Sequence, residues 1–231
     1  GYHVLLASSE NQIESEQELV QQHLKAGARG IILYPITRYR SQIETDYLTH
    51  WDNPAPIVTL DIVCDEWRCS QVVFDNFRLG FDMTRQLIAR GHKHILFMHT
   101  SPQKLHTSIH ERARGWRAAL EEARLPVPDS YTTWPDSEFD TLLKHSSRDA
   151  DYLTTVDSLL ALTPRPTAVI AWNDVAAAHL IQILLDKNIA VPHEIQVTGF
   201  DNEPLITRLF RPLMPTSKPD FLRLGEFGVE T

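Results

Sequence analysis

The chain has 231 residues, 42% of them hydrophobic and 23% charged, with a net charge of −8 and a pI near 5.7. These proportions suit a globular protein large enough for one big domain or two lobes of roughly 100 residues each. The acidic balance argues against the chain gripping nucleic acid by itself, because phosphate neutralisation needs clustered Lys and Arg; no apolar run approaches the roughly 18–20 residues of a membrane span, and no stretch reads as a signal peptide.

In chain order, Tyr2–Ala7 is predicted as a strand, Glu14–Ala26 as an amphipathic helix closed by Gly27, and Gly30–Pro35 as a buried strand. A weaker helix is expected over Ser41–His50, then a strand over Ile57–Leu60 that ends at Asp61, and another over Gln71–Phe74. Asp75-Asn76 offers a cap for a helix from Phe77 to Arg90, stopped by Gly91. The strand Ile95–Met98 follows, then a helix capped by Thr107 or Ser108 that carries Arg112, Gly115 and Trp116 to Ala123. Leu125–Lys144 reads mostly as loop and Asp149–Leu162 as a helix. Ala168–Ala171 is a short continuous apolar run, the mark of a strand buried on both faces. Asn173-Asp174 caps the next helix, which runs to Lys187, and Ile195–Thr198 is a strand that ends at Gly199-Phe200-Asp201-Asn202. Prolines at 204, 212, 215 and 219 exclude a long helix between them, and a last helix starts near Asp220.

Repeated strand–helix alternation predicts an α/β fold of doubly wound parallel sheets, better two than one, with a break near Phe74–Asn76 where two strands meet without a helix between them. The stretch from Pro166 to Asn202 is a βαβ unit whose parallel strands end on one edge. Asn173, Asp174, Asp201 and Asn202 therefore converge where open α/β sheets bind ligands.

Several chemistries find no support. GxGxxG after a strand, GxxxxGK[ST], GxSxG and HExxH are all absent. His92 with His94, and His106 with His110, lack further ligands at metal spacing, so no metal, no cofactor and no enzymatic activity are expected. Cys64 and Cys69, five apart in a loop-like segment, read as reduced thiols of a cytosolic protein, with a disulfide as the alternative. What remains is a set of polar strand-end residues with aromatics. Asp61, Asp174, Asp201, Asn173 and Arg112 can clamp a small polyol through charge-assisted hydrogen bonds, and Trp134 can offer a flat apolar face to a sugar ring. The plainer alternatives are that Asp174 and Asp75 are helix caps, Arg112 a surface helix residue, Trp134 loop packing and Trp116 core.

The runs GIILYP (30–35), PIVTLD (56–61), VVFDNFRLG (72–80), LIARGHKHILFM (87–98), ERARGWRAAL (111–120), PTAVIAWND (166–174) and VPHEIQVTGFDN (191–202) occur in one order. Together they resemble the effector-binding domain of the lactose/galactose repressor family of bacterial transcription regulators. That resemblance implies two doubly wound lobes around a ligand cleft, a type I periplasmic binding protein-like fold: an N-terminal lobe of residues 1–74 to which 219–231 return, and a C-terminal lobe of residues 75–218. It implies effector contacts by Asp61, Ser108, Arg112, Trp134, Asn173 and Asp201, with Asp174 capping the helix behind Asn173. A polar contact that similar proteins place after a returning strand, here 213–218, meets Pro219 instead.

The same resemblance implies a cytoplasmic homodimer that senses a small effector, a sugar above all, and acts on operator DNA through a helix-turn-helix headpiece lying outside this chain. A strand and helix before Tyr2 and further elements after Thr231 are expected in a whole effector domain. A periplasmic sugar-binding protein of a transport system and an α/β enzyme on a small polar metabolite are the alternatives. The helix after Asn173, apolar beyond the needs of one buried face, is expected to meet a partner subunit.

Overall fold

The structure, a computed structural model, describes all residues except 1–2, 11, 37–45, 100–105, 128–131, 134–149, 211–212 and 231. It divides into two compact units, one of residues 1–74, 106–108 and 220–231, the other of residues 75–105 and 109–219. Each holds a parallel sheet.

In the first unit, helix α1 (Ile13–Lys25) precedes strand β1 (Ile31–Leu33), a short helix α2 (Asp46–Thr49) and strands β2 (Ile57–Leu60) and β3 (Ser70–Val72). Its sheet runs β1-β2-β3, and Leu48, Ile57, Ile62, Cys64 and Trp67 form a small core. Helix α8 (Phe221–Glu230) closes the unit, with Gly228 against Leu60 and Ile32. The strand expected at Tyr2–Ala7 is not formed: residues 3–9 have no regular structure, and Val4 and Leu6 are 87% and 95% exposed. Apolar strand-forming residues make a strand only when a neighbour takes up their backbone hydrogen bonds. Among the described residues no strand pairs with them.

The second unit is a five-stranded sheet, β5-β4-β6-β7-β8, from β4 (Ile95–His99), β5 (Thr132–Thr133), β6 (Ala168–Ala171), β7 (Gln196–Phe200) and β8 (Thr216–Ser217). β5 falls within Leu125–Lys144, the stretch read mostly as loop. Its two residues are too few for any periodicity to show, and their pairing with Met98 and His99 defines them. β4, β6 and β7 are buried along their whole length, as strands covered on both faces should be. The strand order reverses between β4 and β6, whose carboxyl ends carry His99 and Trp172. Such a switch point opens a crevice at the strand ends.

Helix α3 (Asn76–Ala89) begins at Asp75, whose carboxylate accepts the Arg78 N–H at 2.8 Å, and is followed by Gly91 at φ +93°. Its buried stripe is Asn76, Gly80, Met83, Thr84 and Leu87. Helix α4 (Thr107–Glu122) buries Ile109, Arg112, Ala113, Trp116, Ala119 and Leu120 at helical spacing. The two helices touch backbone to backbone. A Cβ on Gly80 would lie 2.7 Å from the Arg112 carbonyl carbon, and one on Gly115 would lie 2.7 Å from the Phe81 nitrogen. Trp116, between them and the sheet, donates its indole N–H to the Ile95 carbonyl at 3.2 Å.

Helix α6 (Asp174–Asp186) follows β6, flanked by α5 (Ala150–Leu160) and α7 (Pro204–Phe210). Much of its apolar surface is used inside the unit, while Leu185 is 41% exposed. Leu180, Ile181, Ile183 and Leu184 are all buried, His179 meets Tyr152 of α5 edge-on at 4.4 Å, and Lys187 pairs with Asp157 at 2.6 Å.

The helix contact gives a direct test. Gly80→Ala places a methyl group onto the Arg112 carbonyl, and overpacking of this kind costs about 1–3 kcal/mol or more. Urea denaturation should show a loss of that size; unchanged stability would disprove the close approach.

Candidate functional site

The site grows from Arg112, a cation on the buried stripe of α4. It is 4% exposed, and a buried charge is tolerable only when paired. Its Nε–H donates to Asn76 Oδ1 at 2.9 Å, Nη1 to the Trp172 carbonyl at 2.7 Å and Nη2 to Asp201 Oδ1 at 3.1 Å. The guanidinium also stacks over the Phe200 ring at 4.6 Å. One side chain thus ties together the start of α3 and the carboxyl ends of β6 and β7.

Asp201 reaches Arg112 because the chain leaves β7 through an unusual turn. Asp201 and Asn202 have φ of +95° and +51°, and Asp and Asn are among the residues that adopt this region most readily. The Asp201 side chain is 34% exposed. Burial raises its pKa, and the Arg112 charge and hydrogen bond oppose that rise. Asp174 supports the turn from α6: its Oδ2 accepts the Glu203 N–H at 2.8 Å. Only glycine fits at 199, because a Cβ there would lie 2.9 Å from the Asp174 Cα. Asp174 is 1% exposed, and burial pushes its pKa up to about 6; bonds from Thr216 and the Glu203 N–H oppose the shift, and the charges of Asp201 and Glu203 add to it.

The helix cap falls to Asn173, whose Oδ1 accepts the Ala176 N–H at 2.8 Å. Asp174 instead clamps the turn after β7, so the cap expected of Asp174 is corrected by one position. Both residue types cap helices well; the deciding fact is that Asn173 has extended backbone while Asp174 is already helical. Capping occupies the amide oxygen of Asn173 and leaves its NH2 for other partners.

Arg112 and Asp201 are therefore joined directly, and Asn173 follows the residue whose carbonyl Arg112 holds. Asp61 and Ser108 belong to the first unit. Asp61 ends β2 at φ +60° and donates its N–H to the Val72 carbonyl at 2.8 Å. Ser108 Oγ lies 2.6 Å from His106 Nδ1. Trp134 lies outside the described residues. Asn76 and Phe200 were not singled out by sequence reasoning. For Asn76 a signal existed: with Asp75 capping α3, the amide behind it has no capping duty. Cys64 and Cys69 are free thiols. Among the described residues no group of His, Cys, Asp or Glu is placed to hold a metal ion, and no helix is long and apolar enough to cross a membrane.

Comparison with known proteins gives the family and the fold. Residues 84–231 match the periplasmic binding protein-like domain family. The chain belongs to that family, and within it to the effector-binding domains of the lactose/galactose repressors. It is 26% identical over 218 residues to catabolite control protein A of Priestia megaterium, covering 94% of this chain and 61% of that protein. It is 26% identical over 230 residues to the HTH-type transcriptional repressor PurR of Vibrio parahaemolyticus, covering 100% of this chain and 64% of that one. The chain thus spans somewhat under two thirds of these curated relatives. Among solved structures, a LacI family transcriptional regulator from Lactobacillus casei with bound glucose has the same fold, at a TM-score of 0.71 and 18% identity, covering 100% of this chain and 79% of that one.

The Asp174 carboxyl makes stability depend on pH. Its folded-state pKa is raised from 3.8 to about 6, so the native state holds the proton more tightly than the unfolded chain, and stability falls as pH rises through that window. Asp174→Asn keeps an acceptor for the Glu203 N–H and abolishes the titration. Between pH 4 and pH 7 the wild type should lose about 2 kcal/mol relative to the variant in urea denaturation. Parallel pH profiles would rule the shift out.

Proposed function

We propose that this chain is the ligand-sensing and dimerisation domain of a DNA-binding transcriptional regulator. A small effector bound here changes how a helix-turn-helix headpiece outside this chain engages its operator. The observation that carries this reading is the buried Arg112 held against Asp201 at the carboxyl ends of β6 and β7, in a chain whose curated relatives include a repressor and a catabolite control protein.

The effector in this reading is a neutral sugar. Arg112 offers donors and Asp201 acceptors at the same strand edge, and a hydroxyl is both donor and acceptor. The charges of Asp201 and Glu203 act on Asp174, and that of Glu203 acts on Asp201, beside the Arg112–Asp201 pair; this acidic cluster disfavours an anionic ligand. The Lactobacillus casei neighbour holds glucose. Asn173 joins Arg112 and Asp201 as an effector contact, and Asp61, Ser108 and Trp134 take the contact roles the family resemblance implies. The protein works as a cytoplasmic homodimer without catalysing a reaction. Effector acts by binding one arrangement of the regulator better than another.

Calorimetric titration with sugars and nucleosides, followed by a turnover assay on any binder, tests this. Arg112→Ala and Asp201→Ala should each weaken binding by roughly 10–100-fold or more, because each removes charge-assisted bonds, while far-UV circular dichroism stays native. Unchanged affinity in both variants would contradict the site, and consumption of the ligand would contradict a sensor.

A further inference from the structure

We infer that Asn76 is a positioning residue of the effector site: its side-chain oxygen fixes the Nε–H of Arg112 and so aims the guanidinium edge at Asp201 and the strand ends. The inference deepens the effector-site reading above and rests on it.

Asn76 is the first residue of α3, one past the cap. Asp75 already accepts the Arg78 N–H, so the helix start does not need the Asn76 amide. Yet Asn76 is 5% exposed, and a polar side chain is buried that far only with partners inside the protein. Its Oδ1 accepts from Arg112 Nε at 2.9 Å.

The geometry of a guanidinium explains what that bond does. Its five N–H donors lie in one plane in fixed directions. With Nε held by α3 and Nη1 held by the Trp172 carbonyl, the plane has no remaining freedom to rotate, and Nη2 must face Asp201. Remove the acceptor at Nε and a buried N–H loses its partner. The guanidinium then gains by turning, for example to offer Nε and Nη2 together to the Asp201 carboxylate. The same plane would leave the Phe200 face on which it now stacks.

The placement of Asn76 is equally constrained. Gly80, one turn along α3, lies against the backbone of Arg112 itself, and Gly115, one turn along α4, lies against Phe77 and Phe81. The two bare glycine surfaces hold the helices at a separation that a side-chain-to-side-chain bond at 2.9 Å requires.

Two variants and two measurements test the inference. Asn76→Leu keeps the size and removes the acceptor; Asn76→Asp keeps an acceptor. The first measurement needs no ligand: solvent exchange of the Arg112 Nε–H, followed by 15N NMR. Asn76→Leu should exchange at least tenfold faster than wild type, and Asn76→Asp should restore slow exchange. The second is calorimetric binding of D-glucose, D-ribose, sucrose and adenosine. Whichever binds wild type should bind Asn76→Leu at least tenfold more weakly, with Asn76→Asp recovering most of the loss. Unchanged Nε–H exchange in Asn76→Leu, or equal binding by both variants, overturns the inference. If none of the four binds wild type, the effector reading loses its support while the exchange experiment still decides what Asn76 does to Arg112.

Discussion

A guanidinium in the apolar stripe of α4 sets the terms for the second unit. Left unpaired at 4% exposure, Arg112 would cost several kcal/mol of desolvation. The fold answers with acceptors from three separate elements and with an aromatic face. Each answer constrains something else. The Trp172 carbonyl fixes where β6 ends, Asp201 requires a turn with two successive positive-φ residues, and Asn76 requires α3 and α4 to meet at Gly80 and Gly115. These contacts lie where the strand order of the sheet reverses.

The electrostatics of that edge follow from the same pairing. Arg112 opposes the rise that burial imposes on Asp201, while the charge of Glu203 adds to it. Asp174, buried and acted on by the charges of Asp201 and Glu203, has a pKa of about 6. Among the described residues this edge sets Arg112 beside Asp174, Asp201 and Glu203, an acidic surplus suited to a neutral ligand rich in hydroxyls more than to a phosphate or carboxylate. The net charge of −8 over the chain acts in the same sense at longer range.

Much of this was legible in the sequence because it is written in local patterns. The βαβ unit from Pro166 to Asn202 shows as apolar runs, a capping pair and a terminal GFDN, and the strands β6 and β7 lie within those runs. Arg112 stood out within its motif. The rest depends on contacts that local pattern does not encode. Asn173 and Asp174 are equally good caps, and one residue of register decides which becomes the cap and which the clamp on Glu203. Tyr2–Ala7 has strand composition, but its described residues have no neighbour to pair with. The apolar excess of α6 is met in part by α5 within the unit, a contact that local pattern does not show. Asn76 was hidden behind Asp75: the pair reads as a cap, and only the tertiary approach of α4 gives the second residue its partner.

The central claim is that Arg112 and Asp201 together form the effector-contacting edge of the second unit. The most direct measurement is a crystal structure of the protein with the tightest-binding neutral sugar found by calorimetry. A sugar hydroxyl within hydrogen-bonding distance of both the Arg112 guanidinium and the Asp201 carboxylate is the result expected. A sugar bound away from both, with the Arg112–Asp201 pair unchanged from the unliganded protein, would contradict the account.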